Sequence, residues 1–95
     1  MYGFADAILA LKKGHTAKRT GWNGKNMFVF LQKGSHDTAN AYPSGMDHDL
    51  FEAGDTGTAT RMPCLCLHAA DGTTVTGWLA SQTDMLADDW IVGED

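Results

Sequence analysis

Residues 63–90, PCLCLHAADGTTVTGWLASQTDMLADDW, carry the most informative pattern in this chain of 95 residues. Apolar residues alternate on both sides of Asp71-Gly72, a dipeptide that favours a tight turn with positive φ, so the first half predicts a β-hairpin. Asp84 follows Ser81 by three residues, a spacing that resembles a capping box. The stretch therefore predicts a hairpin that is followed by a short helix.

The N-terminal part of the chain predicts one helix and two strands. Apolar residues recur at helical spacing over residues 4–11, with Asp6 in the first turn and Gly14 where a C-terminal cap belongs, so we expect the first helix here. Residues 15–20 are typical of a brief strand. Residues 27–32, MFVFLQ, are β-branched and aromatic, and they predict a buried strand.

The remaining segments complete the expected fold. DWIVGE, at residues 89–94, predicts a last strand. Residues 33–61 show no sustained period, so we expect a long variable loop, which in a domain this small is usually functional, mobile or part of an oligomer contact. Residues 1–95 should therefore form a single α+β domain. Its mainly antiparallel sheet would pack around one principal N-terminal helix, with a short C-terminal helix in addition.

Composition and charge narrow the class of partner. The formal net charge of −5 argues against a DNA-, RNA- or membrane-surface-binding protein, because affinity for polyanions comes mostly from excess lysine and arginine. A small anion is still compatible, since a pocket can hold a phosphate on backbone N–H groups or one local cation. No apolar run approaches about 18 residues, so we expect a cytoplasmic protein. A chain this short also favours self-association.

Metal and catalytic patterns are weak in this sequence. Cys64, Cys66 and His68 would share one face of a strand, but structural zinc sites favour two or more residues between paired cysteines. We expect reduced thiols on a half-buried strand and neither a metal nor a cofactor. Four histidines accompany no nucleophile elbow, metalloprotease helix or phosphate-binding glycine loop, so we expect no enzyme.

Two similar groups of residues each combine a tryptophan with short polar side chains. They are Trp22-Asn23 in a glycine-flanked turn, and Trp78 followed by Ser81, Gln82, Thr83 and Asp84. Such groups suit a nucleobase, because bases stack on indoles while short polar groups bind base edges and ribose hydroxyls. They also suit a purely structural role, with the tryptophans in the core and Ser81 and Asp84 as helix caps. From the residues alone, both interpretations stay open.

The same C-terminal stretch predicts a division between ligand contacts and packing. The part that ends at Asp84 would contact the ligand. Met85, Leu86 and Trp90 would belong to the core and hold that part in place.

Three segments of the chain resemble, in order, the signatures of a known family. They are FADAILALKKG at residues 4–14, TGWNGKNMFVFL at residues 20–31 and CLHAADGTTVTGWLASQTDMLADDW at residues 66–90. The family is the Thoeris anti-defence Tad2 family of phages and prophages. The similarity covers residues 3–32 and 62–92, and residues 33–61 have no motif that aligns.

The resemblance implies a protein that binds and sequesters cyclic ADP-ribose-type immune signals, notably glycocyclic ADP-ribose, without cleaving them. It would thereby block Thoeris activation in the cytoplasm of the infected bacterial host. Family members form homotetramers with pockets at subunit interfaces, and some also bind cyclic dinucleotides. The implied ligand-binding residues are Trp22, Asn23, Trp78, Ser81, Gln82, Thr83 and Asp84.

The implied ligand carries a diphosphate, whereas the protein is acidic. Local donors are therefore needed, and Arg19, Lys25 and Arg61 are the candidate phosphate-binding side chains. Two alternatives remain beside this hypothesis: an enzyme that degrades the same nucleotide, and a structural or interaction module of a virion. The preferred cyclic nucleotide is left open by the motifs.

Overall fold

The computed structural model describes residues 1–22, 26–36, 45–53 and 61–93. The chain forms two compact units. The first comprises Met1–Leu31 and Leu65–Asp95, and the second comprises Gln32–Cys64. No helix among the described residues is long and apolar enough to cross a membrane.

The first helix, α1, spans Phe4–Lys12 and confirms the prediction. Its start is stabilised by Asp6, whose carboxylate accepts a hydrogen bond of 3.3 Å from the Gly3 N–H. Gly14 ends it with a φ of 90°, a conformation that costs glycine little because it has no Cβ. The buried face of α1 consists of Ala7, Ala10 and Leu11.

Seven strands lie among the described residues. They are β1 (Thr16–Arg19), β2 (Phe28–Gln32), β3 (Gly34–His36), β4 (Phe51–Ala53), β5 (Cys64–His68), β6 (Thr74–Thr76) and β7 (Trp90–Gly93). Five of them form one sheet in the order β6-β5-β2-β1-β7, and β3 and β4 form a second, two-stranded sheet. In the larger sheet β1 pairs antiparallel with both β2 and β7, and β5 pairs antiparallel with β6. The predicted α+β class and mainly antiparallel sheet are confirmed.

The core of the first unit lies between α1 and the larger sheet. Ala17 of β1 aligns with Val29 on one side and Val92 on the other, and both Ala17 and Val29 are buried. Trp90 is fully buried, and its backbone N–H and C=O each bond to Tyr2 at 2.9 Å. The N-terminal residues are thus attached to the edge strand β7. The buried core cluster is Ala7, Leu11, Ala17, Val29 and Trp90.

The hairpin between β5 and β6 forms as predicted. Gly72 has a φ of 92°, and the Ala69 N–H bonds to the Thr73 carbonyl at 2.7 Å. Asp71 accepts hydrogen bonds from the N–H and the hydroxyl of Thr73, at 2.9 and 2.6 Å. These bonds hold the pKa of the Asp71 carboxyl below its usual range. The turn is therefore stabilised by side chains close to it in the chain.

The short C-terminal helix α2 spans Gln82–Leu86, and its capping box is confirmed. The Asp84 N–H donates to the Ser81 hydroxyl at 3.0 Å, and the Ser81 N–H donates to the Asp84 carboxylate at 3.2 Å. The expectation that Met85 and Leu86 are core is wrong, since they are 39% and 78% exposed in the chain. A helix of five residues buries no side chain of its own, and the core beside it is filled by Trp90.

The second unit contains short elements within the segment expected to be a loop. β3 pairs in parallel with β4, and a 3-10 turn at His48–Leu50 precedes β4. Arg61 exchanges two backbone hydrogen bonds with Ser35, at 3.0 and 3.1 Å. Strands of three residues are too short to show an alternating pattern, so periodicity could not indicate them.

Candidate functional site

Trp22 lies directly after β1, where the chain turns back with a bond of 3.3 Å from the Trp22 N–H to the Arg19 carbonyl. Its indole contacts two others at steep angles. The ring centroids are 6.1 Å from Trp78 at 74° and 5.4 Å from Trp90 at 79°. Edge-to-face contacts of this kind are favourable because the positive ring edge meets a negative ring face. Trp22 and Trp78, which are 56 positions apart in the chain, therefore lie side by side.

Asp84 connects two of these indoles, those of Trp22 and Trp90, to the start of α2. One carboxylate oxygen, Oδ1, accepts from Arg19 Nη1 at 2.8 Å and from Trp22 Nε1 at 3.3 Å. The other, Oδ2, accepts from the Ser81 N–H. The Asp84 backbone carbonyl accepts from Trp90 Nε1 at 2.9 Å. One residue thus fixes two indoles and a helix start.

The environment of Asp84 favours its charged form. Burial by itself raises the pKa of the carboxyl, but hydrogen bonds from Arg19, Ser81 and Trp22 oppose it and hold the pKa below its usual range. The carboxylate is therefore ionised at neutral pH. It cannot act as a proton donor there.

Asp89 belongs to the same network, although no sequence motif pointed to it. Its carboxylate accepts from Arg19 Nε at 2.8 Å, from the Thr20 hydroxyl at 3.1 Å and from the Gly21 N–H at 3.0 Å. The bond from Arg19, followed by those from Gly21 and Thr20, lowers the pKa of Asp89. Asp89 thereby holds the turn that leads to Trp22. No local pattern indicated this role, because the partners are about 70 positions away.

Arg19 lies between the two carboxylates. It forms ion pairs of 2.8 Å with both Asp84 and Asp89, and its side chain is only 16% exposed. The bonds to Asp89 and Asp84 raise the pKa of the guanidinium. Arg19 was a candidate phosphate-binding residue, but its Nε and Nη1 groups already bind protein carboxylates. In the described structure Arg19 organises the site.

The remaining predicted site residues differ from one another in exposure and in hydrogen-bond partners. Trp78 is half-buried, and its N–H bonds to the Leu65 carbonyl at 2.7 Å. Gln82 and Thr83 are exposed on α2. Arg61 lies in the second unit, where Nη2 donates to the Lys33 carbonyl at 3.2 Å.

Two predicted residues, Asn23 and Lys25, lie outside the described residues. The described site therefore brings together five of the ten predicted side chains. They are Arg19, Trp22, Trp78, Ser81 and Asp84.

Two cavities adjoin this network. One, of about 390 Å³, is lined by Trp22 and Arg19 together with neighbours on β1, β7 and the turn before β2. The second, of about 290 Å³, extends along β1 to Gly93 and Thr16. The residues that line both are Lys18, Asn26, Met27 and Ile91.

The described part of the chain contains no group of three or more side chains placed to hold a metal ion. Both cysteines lie in that part and form no disulfide. Cys66 is buried in β5, and His68 stacks on Phe28 with ring centroids 4.7 Å apart and planes at 16°. On this face of β5, His68 is thus packed against an aromatic side chain.

Fold and site together define an α+β protein in which an arginine–aspartate network binds the indoles of Trp22 and Trp90, and Trp78 packs against Trp22. The profile of the Tad2-like family, described as the Thoeris anti-defense 2-like domain, matches residues 2–93, and the chain belongs to this family. The chain is also similar to Thoeris anti-defense 2 of Bacillus phage SP01. The two are 37% identical over 87 residues, which cover 92% of this chain and 89% of that protein. The resemblance stated from the motifs is confirmed, and it assigns the chain to Thoeris anti-defence.

Proposed function

We propose that this protein binds a cyclic ADP-ribose-type signal, glycocyclic ADP-ribose in the first instance, and sequesters it intact in the cytoplasm of the infected host. The observation that carries the proposal is the packed pair Trp22 and Trp78, in which Trp22 is held by the Asp84 and Arg19 network. Flat aromatic surfaces next to short polar groups are the chemistry that binds a nucleobase and its ribose. Cyclic dinucleotides share these groups and form the second ligand class to test.

The site is preorganised, which is what a sequestering protein needs. Its effect depends on affinity alone, so side chains that are already fixed avoid the entropy lost when mobile groups are ordered on binding. The indole N–H of Trp22 already donates to Asp84, so a ligand would meet the ring and not this N–H group. Base stacking on such a ring contributes about 1–3 kcal/mol.

The polar groups of the site suit binding better than catalysis. A hydrolase needs a general acid or base that exchanges protons near neutral pH. Asp84 and Asp89 both have lowered pKa values, and both bind Arg19. Asp84 Oδ2 accepts from Ser81, and a carboxylate oxygen can accept a second bond, for example from a ribose hydroxyl.

Self-association is the second part of the proposal. The resemblance implies homotetramers with ligand pockets between subunits, and several large apolar side chains are exposed on the single chain. Leu79 and Leu86, on either side of the Ser81 cap, are 89% and 78% exposed. Contact with another copy would remove this apolar surface from water at roughly 25 cal/mol per Å².

Calorimetry with glycocyclic ADP-ribose tests the proposal directly. We expect micromolar or tighter binding, and chromatography after heat denaturation should recover the ligand unchanged. Accumulation of a product with time would support the enzyme instead. Absence of binding to every cyclic ADP-ribose isomer and cyclic dinucleotide tried, at micromolar protein, would exclude the proposal.

A matched pair of variants separates binding from assembly. Trp22→Leu removes the stacking surface but keeps an apolar side chain, and Tyr2→Leu makes the same kind of change at a half-exposed aromatic outside the site. We expect Trp22→Leu alone to lose affinity at least tenfold, with the oligomeric mass of both unchanged. If Trp22→Leu instead breaks the assembly, the structural-module alternative is favoured.

A further inference from the structure

We propose that Lys18 binds the phosphate groups of the nucleotide in the cavity that adjoins Trp22. The inference rests on the proposed function and deepens it by assigning the cation that the acidic protein must supply. Lys18 was not among the candidate phosphate-binding residues of the sequence analysis. The structure points to Lys18 because β1 places its two adjacent cations, Lys18 and Arg19, on opposite faces of the sheet.

Lys18 and Arg19 are neighbours in a strand, so their side chains point to opposite faces of the sheet. Arg19 is opposite Trp90 in the register, on the face where Ala17 and Trp90 are buried. Lys18 is opposite Ile91 and is exposed. The strand thus directs one cation into the arginine–aspartate network and the other to the opposite face.

Arg19 and Lys18 therefore differ in the charges that surround them. Both ion pairs found among the described residues are made by Arg19, which binds two carboxylates at 2.8 Å. One guanidinium with two carboxylates has a net charge of −1 and does not attract a phosphate. Arg19 also lines the larger cavity, but its guanidinium is already bonded to these carboxylates. Lys18 extends from the other face of the strand and lines both cavities. An ammonium group with three donors binds phosphate as a compact charge.

The cavities have a size and lining that suit the rest of a nucleotide. The larger cavity has a volume of about 390 Å³, within the range of roughly 300–1,000 Å³ typical of small-ligand pockets, and the smaller has about 290 Å³. Thr20 and Asn26 offer a hydroxyl and an amide, and Met27 and Ile91 offer apolar surface. Trp22 borders the larger cavity, so a base near this indole would place its phosphates within the same cavity as Lys18.

Calorimetry with three variants tests the assignment. Lys18→Met removes the charge and keeps an apolar chain of similar length, and Lys18→Arg restores a cation. Lys12→Met is the control, since Lys12 is exposed on α1 and its loss changes the net charge equally. Glycocyclic ADP-ribose is titrated into each protein from 50 to 300 mM salt. A charge-assisted bond predicts that Lys18→Met binds about tenfold to a hundredfold more weakly.

The salt dependence is the second readout. We expect Lys18→Met to flatten the fall of affinity with salt, Lys18→Arg to restore most of it, and Lys12→Met to match the unmodified protein. If Lys18→Met binds within twofold of the unmodified protein with the same salt dependence, the assignment is wrong while the proposed function stands. An equal loss in Lys12→Met would also overturn it, because the effect would then come from net charge alone.

A separate probe decides the case in which no cyclic nucleotide binds. Inorganic pyrophosphate at millimolar concentration is titrated while amide NMR signals of residues 16–20 and 26–28 are followed. Saturable shifts that vanish in Lys18→Met would support an anion site at Lys18 even though the proposed function had failed. The absence of such shifts would exclude the anion site at Lys18 as well as the proposed function.

Discussion

Replacement of Trp90 by phenylalanine tests whether this residue joins the fold to the site. Trp90 is fully buried, its ring centroid is 5.5 Å from Phe4 and 5.4 Å from Trp22, and its indole N–H donates to the Asp84 carbonyl. Phenylalanine keeps an aromatic ring in the same place. The change removes the N–H donor and two buried ring carbons. The expected loss of stability can therefore be calculated from these two terms.

The expected cost follows from these two losses. Each buried carbon contributes about 0.8 kcal/mol, and a carbonyl left without its partner costs about 1 kcal/mol or more. The free energy of unfolding should therefore fall by about 3 kcal/mol, a large fraction of the roughly 5–15 kcal/mol that stabilises a typical domain. In a domain of this size each kcal/mol shifts Tm by about 4–8 °C, so we expect Tm to fall by about 12–24 °C.

Thermal and urea unfolding measure this at fixed protein concentration, because association makes Tm depend on concentration. Tyr2→Phe is the control. Tyr2 contributes its backbone to the bridge with Trp90 and has a half-exposed side chain, so this variant should stay within about 0.5 kcal/mol of the unmodified protein. A Trp90→Phe protein with an unchanged Tm would refute the assigned role of the indole N–H and of the buried ring.

Three further predictions concern the helix cap, the carboxylates and the second unit. Ser81→Ala should lower the free energy of unfolding by about 1 kcal/mol, whereas Ser81→Gly should cost only a few tenths, and a larger effect of glycine in urea titrations would contradict the capping role. Because Asp84 and Asp89 have lowered pKa values in the folded state, their stabilisation is present at neutral pH and is lost as the pH falls below about 4 through those values. Urea midpoints from pH 7 to pH 3 should therefore fall less steeply in Asp84→Asn and Asp89→Asn, and parallel curves would argue against the ion pairs. Gly34→Ala would place a Cβ against the Arg61 carbonyl and 2.8 Å from the Pro63 nitrogen, so hydrogen exchange should accelerate in β3 and not in α1. Equal protection of β3 in this variant and in the unmodified protein would show that the contact can relax.

The two carboxylates that bind Arg19 should also affect ligand binding. If the ion pairs of Arg19 hold Trp22 in place, Asp84→Asn and Asp89→Asn should also weaken ligand binding at neutral pH. A loss of affinity with a folded, correctly assembled protein would separate their effect on the site from their effect on stability. Near-ultraviolet circular dichroism would report the rearranged indoles directly.

Local chemistry determined much of the fold from the sequence alone. The Gly14 cap, the Asp71-Gly72 turn and the Ser81–Asp84 capping box depend on residues a few positions apart, and all three are confirmed. The motifs also identified the family. Periodicity did not indicate β3 and β4, because strands of three residues carry too few positions to show alternation.

Tertiary structure decided which side chains of the site bond to one another and which cation is left without a carboxylate partner in an ion pair among the described residues. The sequence showed Arg19 as a free cation suited to phosphate, whereas the fold brings Asp84 and Asp89 against it from 65 and 70 positions away. It also left Leu86 outside the core, because α2 is too short to bury a face and Trp90 fills the space beneath it. Contacts between residues so distant in the chain depend on strand order and register. The pairing of β1 with β7 placed both cations at the larger cavity, but it bonded only Arg19 to the two carboxylates.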